Sequence, residues 1–268
     1  MIISHNLNAM NAHRQMKIST GEQGKSIEKL SSGYRINRAG DDAAGLAISE
    51  KMRAQINGLN QASQNAQDGI SLVQTTEGAL TETHSMLQRL KTLAVQSSNG
   101  TYSKGDRALI QKEVSQLKEE IKRIGDQTDF NGQKVLKTST TLTLQVGDKN
   151  GDKIDVSLVA MTNPGAIKGI ALSTQTLAQT AIDTIDSAIK AVSEHRATLG
   201  AAQNRLEHTI KSVDNTSENI QAAESRIRDT DMAKEMMNYT KSQILANAAQ
   251  SMLAQANQAP QGVLQLLQ

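Results

Sequence analysis

Two stretches of the chain carry an apolar residue at every seventh position. Met52, Leu59, Ala66, Val73, Leu80, Leu87 and Ala94 form one series, and Ile185, Val192, Leu199, Leu206, Val213, Ile220 and Ile227 form the other. A sustained seven-residue period keeps one seam turned toward a neighbouring helix and implies left-handed supercoiling. The spacing predicts long helices over residues 42–98 and 178–228. Ile56 and Ile70 supply alternate seam positions in the first. Ile182, Ile189 and Ile210 do so in the second, where Arg196, Gln203, Ser217 and Glu224 interrupt the seam. Between them Ile110, Val114, Leu117, Ile121 and Ile124 follow a four-three spacing, a shorter helix with Asp106 as its cap and Gly125 as its stop.

Residues 131–174 change period. Leu142, Leu144 and Val146 alternate with other residues, as do Ile154, Val156 and Leu158, on either side of a Gly-containing turn. That is the pattern of a β-hairpin. At the N-terminus, Ile3, Leu7 and Met10 share one helical face, but Gly21 and Gly24 each cost about 1 kcal/mol relative to Ala. This segment needs a partner helix. At the C-terminus Leu245, Ala249, Met252, Ala256, Ala259, Val263 and Leu266 recur at four-three spacings, and Lys241 is the last charged side chain. Pro260 is expected to kink or interrupt that helix. Its neutral Gln, Asn, Ser and Ala faces suit burial against other copies of the chain.

Composition sharpens the picture. Three Tyr, one Phe and no Trp are too few for an aromatic-rich globular core. Ala, Leu, Ile, Val and Met are the residues of helix seams. The fold expected is mainly α: an elongated coiled-coil or helical-bundle rod with a small β-hairpin region and paired N- and C-terminal helices. Net charge is +2, from 29 basic and 27 acidic residues mixed along the chain, which argues against nucleic acid as a partner. No run of about 18 apolar residues predicts a membrane span. Residues 1–20 lack the apolar core of a cleaved signal peptide. With no Cys, disulfide and thiol chemistry are excluded.

No catalytic constellation emerges, and neither a cofactor nor a metal is expected. His5, His13, His84, His195 and His208 have no ligand-type spacing and read as surface or seam residues. Asp148, Asn150 and Asp152 resemble a calcium loop, but Lys153 stands where such loops need Gly and Val159 where they need Glu. A hairpin turn is the better reading.

Four stretches carry a resemblance to a known family. Residues 30–45, LSSGYRINRAGDDAAG, join the first two helices, with Ser31, Ser32 and Gly33 as a stop and Asp41 and Asp42 as a start signal. With residues 68–80 (DGISLVQTTEGAL), 127–136 (QTDFNGQKVL) and 254–268 (AQANQAPQGVLQLLQ) they resemble bacterial flagellin, in that family's order. The resemblance implies a subunit exported unfolded through the flagellar type III channel without a cleaved signal, polymerising outside the cell into the flagellar filament for swimming. It implies a terminal domain from residues 1–40 and 229–268, a helical middle domain from 41–130 and 177–228, and a short variable region at 131–176. The large outer domains of many family members have no counterpart. Ile3, Leu7, Met10, Leu245, Met252, Val263, Leu264, Leu266 and Leu267 are the expected polymerisation residues. The implied partners are the chain itself, a flagellin export chaperone, the filament cap and the hook-associated proteins. Residues 88–96, QRLKTLAVQ, resemble the segment read by Toll-like receptor 5, which implies contacts from Arg89, Leu93 and Glu113, although Thr92 stands where the family commonly has Glu. The alternative from another class is a secreted coiled-coil adhesin or needle-tip-like protein, which has no use for a neutral C-terminal helix.

Overall fold

In a computed structural model, residues 6–266 are described, with side chains throughout except at 165–166 and 259–266. Five helices follow the chain: α1 (Leu7–Ser32), α2 (Ala43–Ser98), α3 (Lys104–Gln127), α4 (Gln175–Arg228) and α5 (Met232–Leu266). Four short strands lie between α3 and α4: β1 (Asp129–Phe130), β2 (Gln133–Lys134), β3 (Thr140–Gln145) and β4 (Lys153–Leu158). The fold is mainly α, as the heptads predict. It divides into two compact units, Met1–Ile56 with Glu218–Gln268, and Asn57–Ser217. The division falls inside α2 and α4, beyond the corners at Gly40 and Asp229.

The unit of residues 57–217 is built on the predicted seam. Leu59, Ala66, Val73, Leu80, Leu87 and Ala94 of α2 are all buried, as are Ile185, Val192, Leu199 and Leu206 of α4. The alternate seam differs from expectation. On α2 it runs through Ala62, Gly69, Thr76, Thr83, Leu90 and Ser97, not Ile70, which is half-buried. Small side chains there let neighbours approach. Gly69 is where Leu144 of β3 sits, since an added Cβ would lie 2.3 Å from its Cδ1. The hydroxyls on this seam find carbonyls: Thr76 donates to Leu72 of its own helix at 2.8 Å, and Ser97 to Leu172, just ahead of α4, at 2.8 Å. On α4 the alternate seam is Ala181, Ala188 and His195, whereas further along Ser217 is buried. A helix of 3.6 residues per turn drifts against a seven-residue repeat, so the buried stripe changes phase along α4. Arg196 therefore lies beside the seam, paired with Glu77 at 3.3 Å.

The predicted β-hairpin forms, with Leu142 opposite Val156 and Leu144 opposite Ile154. Asp148, Asn150 and Asp152 lie in its connecting turn. A second, two-residue hairpin, β1–β2, turns at Asn131 and Gly132, both with positive φ, as the tightest hairpin turns require. Two start and stop signals of α3 are corrected. Ser103, not Asp106, caps it: the Ser103 hydroxyl accepts the Asp106 N–H, while the Asp106 carboxylate accepts the Ser103 N–H at 3.0 Å. Gly125 does not end α3, which continues to Gln127. It is buried against the backbone of Met161 and Thr162, where an added Cβ would lie 2.7 Å from the Thr162 Cα.

His195 is only 4% exposed, and burial holds its imidazole below the ordinary value of 6.5. The native state then favours the neutral ring, while the unfolded chain takes up a proton near the ordinary value. The contribution of His195 to stability is complete above that value and declines as pH falls through it, levelling below the native pKa. Thermal unfolding should show the wild type losing more stability between pH about 7.5 and about 5.5 than His195→Gln does. Equal losses in the two proteins would remove His195 as the cause.

The unit of residues 1–56 and 218–268 pairs α1 with α5. α1 ends at Ser32 because Gly33 takes a left-handed conformation (φ 75°) and returns its N–H to the Lys29 carbonyl at 2.8 Å. Asp42 starts α2, accepting the Gly45 N–H at 2.9 Å. α5 begins at Met232, ahead of the apolar series that starts at Leu245, because Asp231 caps it by accepting the N–H groups of Ala233 and Lys234. It runs through position 260 to Leu266, so Pro260 does not end it.

Candidate assembly surface

The LSSGYRIN–DDAAG corner is held by its own polar residues. The Asp41 carboxylate accepts the N–H groups of Arg38 (3.0 Å) and Asn37 (3.2 Å), which hold its pKa below the usual carboxylate value. Arg38 pairs with Glu28 at 2.9 Å, and Ile36 is buried. The corner then clasps the end of α4. Tyr34 and Asp229 form an isolated β-bridge, the Arg35 N–H donates to the Arg228 carbonyl at 2.7 Å, and Thr230 donates to Gly33 at 2.9 Å. Arg228 lies over the Tyr34 ring at 4.8 Å and pairs with Glu50 at 2.7 Å. This clasp sets the start of α5 beside the end of α1, and Asn6 donates to the Ala256 carbonyl at 2.7 Å near the far end of the pair.

What faces inward between α1 and α5 is small and partly polar. Along α1, Ala9, Ala12, Met16, Ser19, Gln23, Ser26 and Leu30 form the covered stripe. Along α5 it is Glu235, Tyr239, Ser242, Ala246, Ala249, Leu253 and Ala256. Both step by three and four, the signature of a two-helix seam. Among the described residues of this unit only Ile36 and Ala249 are fully buried apolar side chains, beside Ser19, Ser26, Ser49 and Ser242.

Most of the large apolar side chains of α1 and α5 face outward instead. Leu7, Met10, Ile18, Ile27 and Ile48 are exposed, and so are Met232, Met236, Met237, Ile244, Leu245 and Met252. Met237 is 66% and Ile244 61% exposed. Met236, Met237, Thr240, Lys241, Ile244 and Leu245 line a shallow groove on α5. A monomer that turns its apolar residues to water and its serines to the seam has a surface suited to a partner.

The predicted residues divide accordingly. Leu7, Met10, Leu245 and Met252 are on this outward surface. Leu245 and Met252 lie one step off the seam, which Ala246 and Leu253 occupy. Ile3 and Leu267 lie outside the described residues, as do the side chains of Val263, Leu264 and Leu266 within α5. Met232, Met236, Met237 and Ile244 were not found from sequence. They belong to the part of α5 before Leu245, where charged residues hide the period. In the other unit Arg89 and Glu113 form an exposed pair at 2.8 Å, and the carboxylate raises the Arg89 pKa. Leu93 is 2% exposed and packs in the hydrophobic core with Leu90 and Ala94.

Comparison with known proteins bears on the same residues. The family model for the bacterial flagellin N-terminal helical region matches residues 3–141, and that for the C-terminal helical region matches 182–267. The chain belongs to the bacterial flagellin family. It is 62% identical over 271 residues to a flagellin of Halalkalibacterium halodurans, with all of both chains covered. It is 49% identical over 303 residues to a flagellin of Bacillus subtilis, again with both covered in full. The crystal structure of Bacillus cereus flagellin superposes with a TM-score of 0.51 at 32% identity, covering 60% of this chain and 94% of that one. The two matched helical regions contain both halves of the α1–α5 pair described here.

Proposed function

We propose that this chain is the structural subunit of a bacterial flagellar filament, polymerising with copies of itself through the outward faces of α1 and α5. The observation that carries the reading is the inverted α1–α5 pair, whose exposed Leu7, Met10, Met236, Met237, Ile244, Leu245 and Met252 call for a second apolar surface. Family membership supports the same reading. Identical subunits joined by contacts that do not close on themselves give an open helical polymer, as a filament requires. The neutral C-terminal part of α5 would resist burial least, since it carries no charge to desolvate after Lys241.

The filament stands outside the cell. On this reading the subunit reaches it through the flagellar export channel without a cleaved signal. A chaperone covers the apolar face of α5 beforehand, and the filament cap and hook-associated proteins meet the same terminal helices. In a vertebrate host, Toll-like receptor 5 would meet the exposed Arg89–Glu113 pair beside Leu93. The role is structural, with no catalytic step assigned to any side chain.

Electron microscopy and light scattering test polymerisation on purified protein, comparing the full chain with residues 57–217. Filaments from the full chain, and a helical monomer by circular dichroism from the fragment, are expected. A full chain that stays monomeric even when seeded with sheared filaments would sink the proposal.

A further inference from the structure

Five of the ten methionines are well exposed, Met10, Met232, Met236, Met237 and Met252, and every one is in the α1–α5 unit. Of the others described, Met16 and Met52 in the same unit are half-buried; in the other unit Met86 is half-buried and Met161 buried. Among the described residues the well-exposed thioethers are therefore confined to the unit proposed to assemble, with the half-buried Met86 as the other unit's most accessible one. Met236 and Met237 are adjacent on α5 and line its apolar groove with Ile244 and Leu245. The chain has no Cys, so no thiol of its own competes for an oxidant.

We propose that Met236 and Met237 are an oxidation site that controls subunit addition, a reading that rests on the filament function above. The oxidant is a hydroperoxide, hydrogen peroxide being the simplest. The sulfur lone pair attacks one peroxide oxygen, the S–O bond forms as the O–O bond breaks, and the departing hydroxide takes the proton of the transferred oxygen and leaves as water. The thioether loses two electrons and the peroxide gains them. The product sulfoxide is polar and chiral where an apolar, flexible side chain stood. Docking of a second copy then has to bury a strong acceptor in an apolar groove, which weakens addition roughly tenfold or more. Assembly covers the groove, so the sensitive form is the free subunit and the polymerised one is shielded. A sulfoxide reductase drawing electrons from a thiol reverses the change.

The test uses the full-length chain. Monomers are treated with hydrogen peroxide, quenched, mapped by peptide mass spectrometry and added to untreated seeds while elongation is followed by light scattering. Elongation of oxidised wild type should fall at least about tenfold. The double variant Met236→Leu/Met237→Leu, similar in volume and inert to peroxide, should elongate equally well before and after treatment. Incubation of oxidised wild type with a sulfoxide reductase and a dithiol should restore elongation. In preformed wild-type filaments these two methionines should oxidise more slowly than in monomers, a measurement that needs no variant. The proposal is overturned if wild type carrying both sulfoxides elongates normally. It is also overturned if the double variant loses as much on treatment as wild type, or if filament and monomer oxidise at the same rate. Untreated wild type that never adds to seeds would instead point to failure of the filament reading itself.

Discussion

A chain carrying Ile244→Gln and Leu245→Gln should unfold like the wild type and fail to build filaments. Neither side chain occupies the seam of the α1–α5 pair, where Ala246 and Leu253 lie; Ile244 is 61% and Leu245 38% exposed. Replacing Ile244 removes little that the monomer buries and replacing Leu245 somewhat more, so the stability of the monomer should change by no more than about 1 kcal/mol. In the filament the same positions are to be dehydrated against a neighbouring copy. Full burial of an aliphatic side chain is worth about 1.5–3 kcal/mol, and each Gln also brings an amide that must find partners. Two sites together remove roughly 3–6 kcal/mol per added subunit, a rise in critical concentration of about two to four orders of magnitude. Sedimentation of filaments at graded protein concentration reads that value directly. An unchanged critical concentration would exclude this face of α5 from the contact. A variant monomer that unfolds far below the wild type would show that the two side chains serve the fold instead.

The reverse pattern should hold for Leu87→Ala. Leu87 is fully buried on the α2 seam and belongs to the same core as Leu80, Leu90, Val192 and Leu199. Truncating a buried Leu to Ala loses the transfer energy of the removed atoms and leaves a cavity between long helices that cannot collapse freely, together about 2–5 kcal/mol. The loss should appear as a lower denaturant midpoint at an unchanged slope, since the surface exposed on unfolding stays nearly the same. A change below about 1 kcal/mol would mean that the seam repacks around the gap. Taken together, the two variants separate residues that hold the subunit together from residues that hold subunits to one another. Exposure alone makes the assignment, because all these positions are Leu or Ile.

Much of this was legible from residue spacing. The seven-residue series through Leu59, Val73, Leu80 and Leu87 and through Ile185, Val192, Leu199 and Leu206 is buried as the period requires. It could be read because a single apolar stripe dominated each helix. The β3–β4 hairpin was equally plain, since a change from period seven to period two has few other meanings. The boundaries of α3 were not. Ser103 and Asp106 are both good capping residues, and only the reciprocal hydrogen bonds decide which one is the cap. Gly125 looked like a stop, but it marks a point where the 161–162 backbone crosses α3 with no space for a Cβ.

The terminal helices show the limit most clearly. By itself the sequence determined that both are helical, that neither is strong alone, and that the last stretch of α5 is uncharged. It also determined the family, through stretches spread from residue 30 to the tail. Which residues face the partner helix and which face outward was decided by tertiary structure. The seam of α1 and α5 is made of Ala, Ser and Gln as much as of aliphatic residues, so two stripes on each helix compete for the inward position. A hydrophobic pattern marks residues that must leave water, without distinguishing burial within the subunit from burial between subunits. The corner from Gly33 to Asp42, with its clasp to Arg228 and Asp229, sets how α1 and α5 meet. The seam that results holds Ser19, Ser26 and Ser242 inside and leaves Met236, Met237, Ile244 and Leu245 outside.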